Sequence, residues 1–238
     1  MTHRVIRIGT AGWSVHKEHR VEEGSHLEQY ARVFDAVEIN STFYRPHREA
    51  TWRKWAASVP DEFRFAVKAP QTITHDAQLH DTRILLEAFR DQVSVLGEKL
   101  GPVLFQLPPK LVFDREGANA FFADVRAYFA GEVVLEPRHA SWFTAEVDSL
   151  LKQHGVARVA ADPPKGSPAA AEPGGDLSFA YYRLHGSPRV YYSSYGPEFL
   201  EDLARKIARC DAWVIFDNTT LAHAYLNALS LKKLAVAR

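Results

Sequence analysis

A single (β/α)8 barrel, with its sixth helix missing or reduced to a loop, is the fold this sequence predicts. Three observations lead there. Eight short apolar runs recur along the chain, amphipathic helical segments separate nearly all of them, and 238 residues is close to the usual size of one such barrel. Closure also removes both exposed sheet edges. The domain is expected to span 1–238, with no composition break and no repeat beyond the alternation itself.

The elements follow in order. The first run, 5–10, leads through GWSVHKEHR to a helix near 25–34. The second, 36–42, precedes a helix near 48–58, and the third, 64–69, a long loop and a helix near 81–100. The fourth and fifth, 102–107 and 132–136, precede helices near 115–129 and 145–154. The sixth run, 157–162, is followed by PPKGSPAAAEPGGDLS, whose four prolines and three glycines make a loop and not a helix. The seventh, 179–185, and the eighth, 213–216, lead to helices near 197–209 and 221–229. The stripe Phe121, Phe122, Val125, Tyr128 and Phe129 has helical spacing and reads as core.

Composition narrows the function classes. Acids and bases balance at 29 each, so no whole-molecule attraction to nucleic acid or an anionic membrane is indicated. Cys210 is the only cysteine, which excludes intramolecular disulfides and points to a reducing compartment. No apolar stretch approaches the roughly 20 residues of a membrane span, and MTHRVIRIGT lacks the apolar core of a signal peptide. A soluble cytoplasmic protein is the expectation.

Side chains alternate across a strand, and the set facing the helices should be bulky and apolar. Val37 and Ile39, Phe65 and Val67, Val103 and Phe105, Val133 and Leu135, Val159, Tyr182 and Leu184, and Val214 and Phe216 fit that set. The opposite set then points inward, including Thr42, Arg64, Arg158 and Tyr181. At the C-terminal tips the inward residues are Glu38, Asn40, Lys68, Gln106, Glu136, Arg138, Asp162, Arg183, His185 and Asp217. That is the end where barrel enzymes build their sites. A salt-bridge network plugging the barrel is the plain alternative, but buried ion pairs seldom improve on apolar packing.

The same tips carry a family resemblance. GTAGW, VEINSTFYR, WRKWAASVPDEFRFAVK, ITH, LGPVLFQLPP, EPRHASW, YYRLHG and FDNTTLAHAYLNAL run collinearly over nearly the whole chain. The sequence resembles the YecE-like family, the bacterial domain of unknown function 72, which implies a TIM barrel and no established activity. The resemblance places Glu38, Asn40, Thr42, Tyr44, Lys68, Gln106, Arg138, His139, Trp142, Arg183, His185, Gly186 and Asn218 on family motif positions. The chain departs from that pattern at Ser14, Val15 and His16 after GTAGW, at Pro137, and at Asp217 before Asn218.

An enzyme acting on a small anionic or phosphate-bearing ligand by acid/base chemistry is the leading expectation. Lys68, Arg138 and Arg183 would clamp the anion. Glu38 and Glu136 are the candidate acid and base, with Asp217 beside them and His185 to shuttle protons. Asn40, Gln106, Gly186, Asn218, Trp13, Tyr44 and Trp142 complete the candidate binding residues. One alternative is nucleic acid, with Trp13, Tyr44, Trp142, Tyr191, Tyr192 and Tyr195 stacking on bases. Another is a divalent metal held by Glu38, Glu136, Asp162, His185 and Asp217, which Lys68, Arg138 and Arg183 would repel. No cofactor is otherwise expected. GTAGW is not a dinucleotide fingerprint, and neither a GxSxG elbow nor a Walker loop occurs.

Overall fold

The computed structural model describes residues 4–236. Strands and helices alternate in a mixed α/β fold. The strands are β1 Ile6–Thr10, β2 Ala36–Ile39, β3 Arg64–Lys68, β4 Leu100–Gln106, β5 Val133–Glu136, β6 Val156–Arg158, β7 Ala160–Asp162, β8 Gly174–Gly175, β9 Ala180–Leu184 and β10 Ala212–Phe216. The helices are α1 His26–Ala31, α2 Glu49–Ala57, α3 Arg83–Val93, α4 Arg115–Tyr128, α5 Ala145–Gln153, α6 Pro197–Ile207 and α7 His223–Val236. No helix among the described residues is long and apolar enough to cross a membrane.

Two sheets carry these strands, in the orders β1-β10-β9-β7 and β2-β3-β4-β5-β6-β8. All pairs are parallel except β6 with the short β8. The segment from Val156 to Asp162 changes partner midway: its first half pairs with β5 and its second with β9. Between β1 and β2 the backbone contact is sparse, a bridge at Ala11 and Glu38 and the Gly12 N–H to the Glu38 carbonyl at 2.9 Å. Tyr30 of α1 completes that join. Its hydroxyl accepts from the Thr10 N–H at 2.8 Å and donates to the Ala36 carbonyl at 3.0 Å. Gly9 allows the approach, because a Cβ there would lie 2.1 Å from the Ala36 carbonyl oxygen.

Local sequence sets the helix ends. Ser25 and Glu28 form a reciprocal capping box on α1, and the Asp114 and Thr144 side chains cap α4 and α5. The α4 stripe of Ala118, Phe121, Phe122 and Val125 is buried, as its spacing requires. The third helix is shorter than expected. It ends at Val93, and a 3-10 segment, Ser94–Lys99, follows with Gly97 at φ +56°. The last helix runs longer, to Val236. No α-helix follows the sixth strand; the loop holds only a 3-10 turn, Pro168–Ala171, and β8.

One face of the strands packs on the helices through Val37, Phe65, Val67, Val103, Phe105, Leu135, Val214 and Phe216. The opposite face carries its own apolar layer of Ala36, Ala66, Leu104, Val134, Ala157, Val159, Phe179, Tyr181, Trp213 and Ile215. The alternation read from sequence therefore holds in most strands and is reversed in the sixth. Val159 faces the inner layer, and Arg158 faces outward with Leu135. Arg158 is buried against Asp148 of α5 at 2.9 Å and the Ala169 and Glu172 carbonyls. Asp162 shares its register with Leu184 and accepts from Tyr195 Oη at 2.9 Å, so it too lies on the outer side.

Arg158→Met should cost about 2 kcal/mol in urea denaturation, the scale of hydrogen bonds to a charged group. An unchanged midpoint would place Arg158 outside the load of the fold.

Candidate functional site

Above the inner apolar layer, the strand tips turn polar. Arg183 of β9 stands at the centre, and its side chain is 1% exposed. Its Nε and Nη2 donate to Glu38 Oε2 and Oε1 of β2 at 3.1 and 2.7 Å. Its Nη1 donates to Glu136 Oε2 of β5 at 2.5 Å, and Nη2 also reaches Asp217 Oδ2 at 3.3 Å. Tyr181, two residues earlier on the same inner face, donates to Glu38 Oε2 at 2.8 Å. Four of the five guanidinium donors that arginine offers are thus taken by carboxylates.

His185 bridges the other side. Its Nδ1 lies 2.9 Å from Asp217 Oδ2 and its Nε2 3.1 Å from Glu136 Oε1. Arg138 Nη2 donates to the same Glu136 Oε1 at 3.2 Å. Gln106 of β4 gives its amide N–H to Glu136 Oε2 and takes the Lys68 ammonium on Oε1, both at 2.8 Å. Lys68 Nζ also sits 3.9 Å over the ring of Phe43. Nine residues at the strand tips, including Tyr181, therefore form one connected network.

The network is uneven in charge. Glu38, Glu136 and Asp217 are each bonded to Arg183, and two of them also to His185. Lys68 has no carboxylate partner; its one hydrogen bond goes to a neutral amide. Arg138 keeps Nε buried without a partner, and so does Asn40 with its Oδ1. His75, on the turn Thr72–Asp76, is close enough that Lys68 and Arg138, after burial itself, hold its pKa down.

Burial and partners set the protonation states. Burial alone would raise Glu136, but Arg183, His185 and Arg138 hold it well below the usual carboxylate range. Burial opposes charge on His185 as well, yet Glu136 and Asp217 raise its pKa. Arg183 is driven well above its ordinary value by Glu38, Glu136 and Asp217 against the same desolvation. Lys68 goes the other way, pushed down to about 8 by burial and then by Arg183.

The other expected residues lie around this centre. Asn40 and Trp13 line a cleft of about 260 Å³ with Ala11, Gly12, Ser14 and His26. Trp13 packs edge-on to Trp55 at 5.0 Å, and Tyr44 is exposed against Phe43. Trp142 is buried, donating to the Leu111 carbonyl and packing on Phe113, away from the network. Gly186 adopts φ +93° and spends its N–H on Tyr195 Oη. Asn218 donates to the Ser193 carbonyl and Asn227 Oδ1, which ties the loop after β9 to α7. His139 caps the turn Ala140–Trp142. Tyr195 is buried and stacks on Phe199, so it offers no free face for a base.

Three contributors escaped the sequence reading of the site. Tyr181 had the right parity, but a tyrosine between apolar neighbours reads as core. Phe43 and His75 sit on irregular turns, where no periodicity indicates direction.

The family described as protein of unknown function DUF72 matches residues 7–238. The UPF0759 protein YecE of Escherichia coli K12 is 34% identical over 165 residues, 66% of this chain. That match spans only 59% of the Escherichia coli protein's length. The UPF0759 protein YunF of Bacillus subtilis is 25% identical over 97% of this chain and 94% of its own. A DUF72 family protein crystal structure from Enterococcus faecalis superposes with a TM-score of 0.83 at 22% identity, covering 98% of this chain and 96% of that one.

Because the folded pKa of His185 is raised, its contribution to stability is complete below about pH 6.5, the unfolded value. It is lost as pH rises through the folded pKa. The stability gap between wild type and His185→Gln should therefore narrow above pH 6.5 in urea titrations. A gap that widens over that range would contradict the ion pairing drawn above.

Proposed function

Since this chain belongs to the DUF72 family, whose description assigns no activity, we propose from its own strand tips that it is an enzyme acting on a small anionic molecule. Arg138 and Lys68 take the anion, and Glu136, His185 and Asp217 move the proton. Glu38 and Arg183 form the floor beneath them. The observation that carries this reading is the surplus cation. Lys68 is 7% exposed and meets no carboxylate, while every acid of the cluster is engaged by Arg183. An uncompensated buried charge is costly, and a bound anion would offset it.

Arg183 has a different part from the clamp expected of it. Its donors are occupied by Glu38, Glu136 and Asp217, so it holds the acids ionised and in place. The same guanidinium fills the space between the carboxylates, which weighs against the metal reading. For the proton step, His185 lies between two acids that raise its pKa against burial and favour its protonated form, and Glu136 is held well below the usual carboxylate range. An imidazolium so placed is suited to give a proton and recover it within one turnover.

The frame for this chemistry is inferred to be a closed (β/α)8 barrel. The Ala11–Glu38 bridge with the Tyr30 hydroxyl supports closure on one side. The shared segment Val156–Asp162, paired to β5 and then to β9, supports it on the other.

Calorimetric titration with inorganic phosphate and short carboxylates at low ionic strength tests the reading. Arg138→Gln should weaken binding about tenfold or more, as expected for a lost charged hydrogen bond. The surface change Arg115→Gln should leave it alone. Equal affinity in Arg138→Gln, or no binding by the wild type, would remove the proposal.

A further inference from the structure

We infer that Lys68 is a nucleophilic amine that forms an imine with a small 2-oxo acid, whose carboxylate is held by Arg138. The inference rests on the anion-binding reading above and extends it to covalent chemistry. Its basis is geometric. Lys68 comes from β3 and is buried, with an aromatic ring 3.9 Å beneath its nitrogen. Its hydrogen bond is to the Gln106 carbonyl oxygen, a partner that tolerates an amine as well as an ammonium. Gln106 is itself oriented by Glu136, and Glu136 also binds Arg138. The amine and the Arg138 guanidinium are therefore linked by one short chain of side chains, and the proposed ligand spans the two.

Burial and the neighbouring Arg183 favour the neutral form of Lys68, outweighing the Phe43 ring and the carboxylates, which favour the charged one. Arg183 is a neighbouring fixed cation, and no acid bonds Nζ directly. Glu136, Glu38 and Asp217 act on it only from behind Arg183 and Gln106, against burial and the guanidinium. With its pKa at about 8, roughly a tenth of Lys68 is neutral at pH 7, far more than for an ordinary lysine near 10.4. Lysines desolvated or set beside another cation are the ones that act as amine nucleophiles.

The step balances without a further reactant. The Nζ lone pair attacks the keto carbon, forming C–N while the carbonyl π pair moves to oxygen. The two protons that the amine loses end on that oxygen, carried by His185 and solvent. Water leaves as the C=N bond forms.

Reductive trapping tests it. The full chain is incubated at pH 7 with pyruvate and sodium cyanoborohydride, and the lysines are mapped by peptide mass. Lys68 should carry the N-(1-carboxyethyl) adduct, the secondary amine left when the imine is reduced, about tenfold or more ahead of exposed lysines such as Lys110 and Lys165. Inorganic phosphate should slow that labelling. Lys68→Arg should lose the adduct at that peptide, while phosphate binding by the wild type in the calorimeter is the separate control on the anion site. Label confined to exposed lysines, with phosphate still bound by the wild type, would overturn the imine and leave the anion site standing. Loss of phosphate binding together with absence of the adduct would overturn both.

Discussion

The Arg183 guanidinium governs the polar half of this molecule. Three carboxylates, from β2, β5 and the end of β10, converge on one volume from which water is largely excluded. Their mutual repulsion in such a medium would be prohibitive without a fixed cation among them. Arginine suits the position because its planar fork can bind several oxygens at once and keeps its proton under any ordinary condition. Everything above it depends on that choice. With its acids committed to Arg183, the cluster has no carboxylate left for Lys68, and the anomalous lysine follows.

Much of the frame was legible because the helix-facing positions of most strands are bulky and apolar while the alternate positions carry the small or polar residues at the tips. Val37 and Ile39 against Ala36 and Glu38, or Phe65 and Val67 against Ala66 and Lys68, admit one orientation. The sixth strand does not. Ala157, Val159 and Ala160 suit either face at a level where both are apolar, and the charged residue does not decide it. Arg158 finds its acid on α5, ten residues earlier, a meeting that requires the helix to be docked first. The missing sixth helix was visible directly, from prolines and glycines that cannot sustain one.

The candidate site was legible as a list and not as a wiring diagram. Parity and strand position are enough to gather Glu38, Lys68, Gln106, Glu136, Arg183, His185 and Asp217. Which cation meets which acid depends on reach across strands that are distant in sequence, such as Glu38 and Arg183. Trp142, Gly186 and Asn218 show the complementary limit. Each sits on a family motif, and each has its N–H donor committed to the protein's own groups: the Trp142 indole, the Gly186 backbone and the Asn218 amide. A motif position constrains geometry as readily as it contacts a ligand.

The join between the first two strands has a bearing on how the chain assembles. Ile6–Thr10 finds its ladder partner in Ala212–Phe216, more than two hundred residues later, while its join to the adjacent Ala36–Ile39 is one bridge, one backbone hydrogen bond from Gly12 and the Tyr30 hydroxyl of α1 set between them. Of the strands described, β1 consequently gains its ladder only once β10 has been made, whereas the middle strands can collapse locally and early.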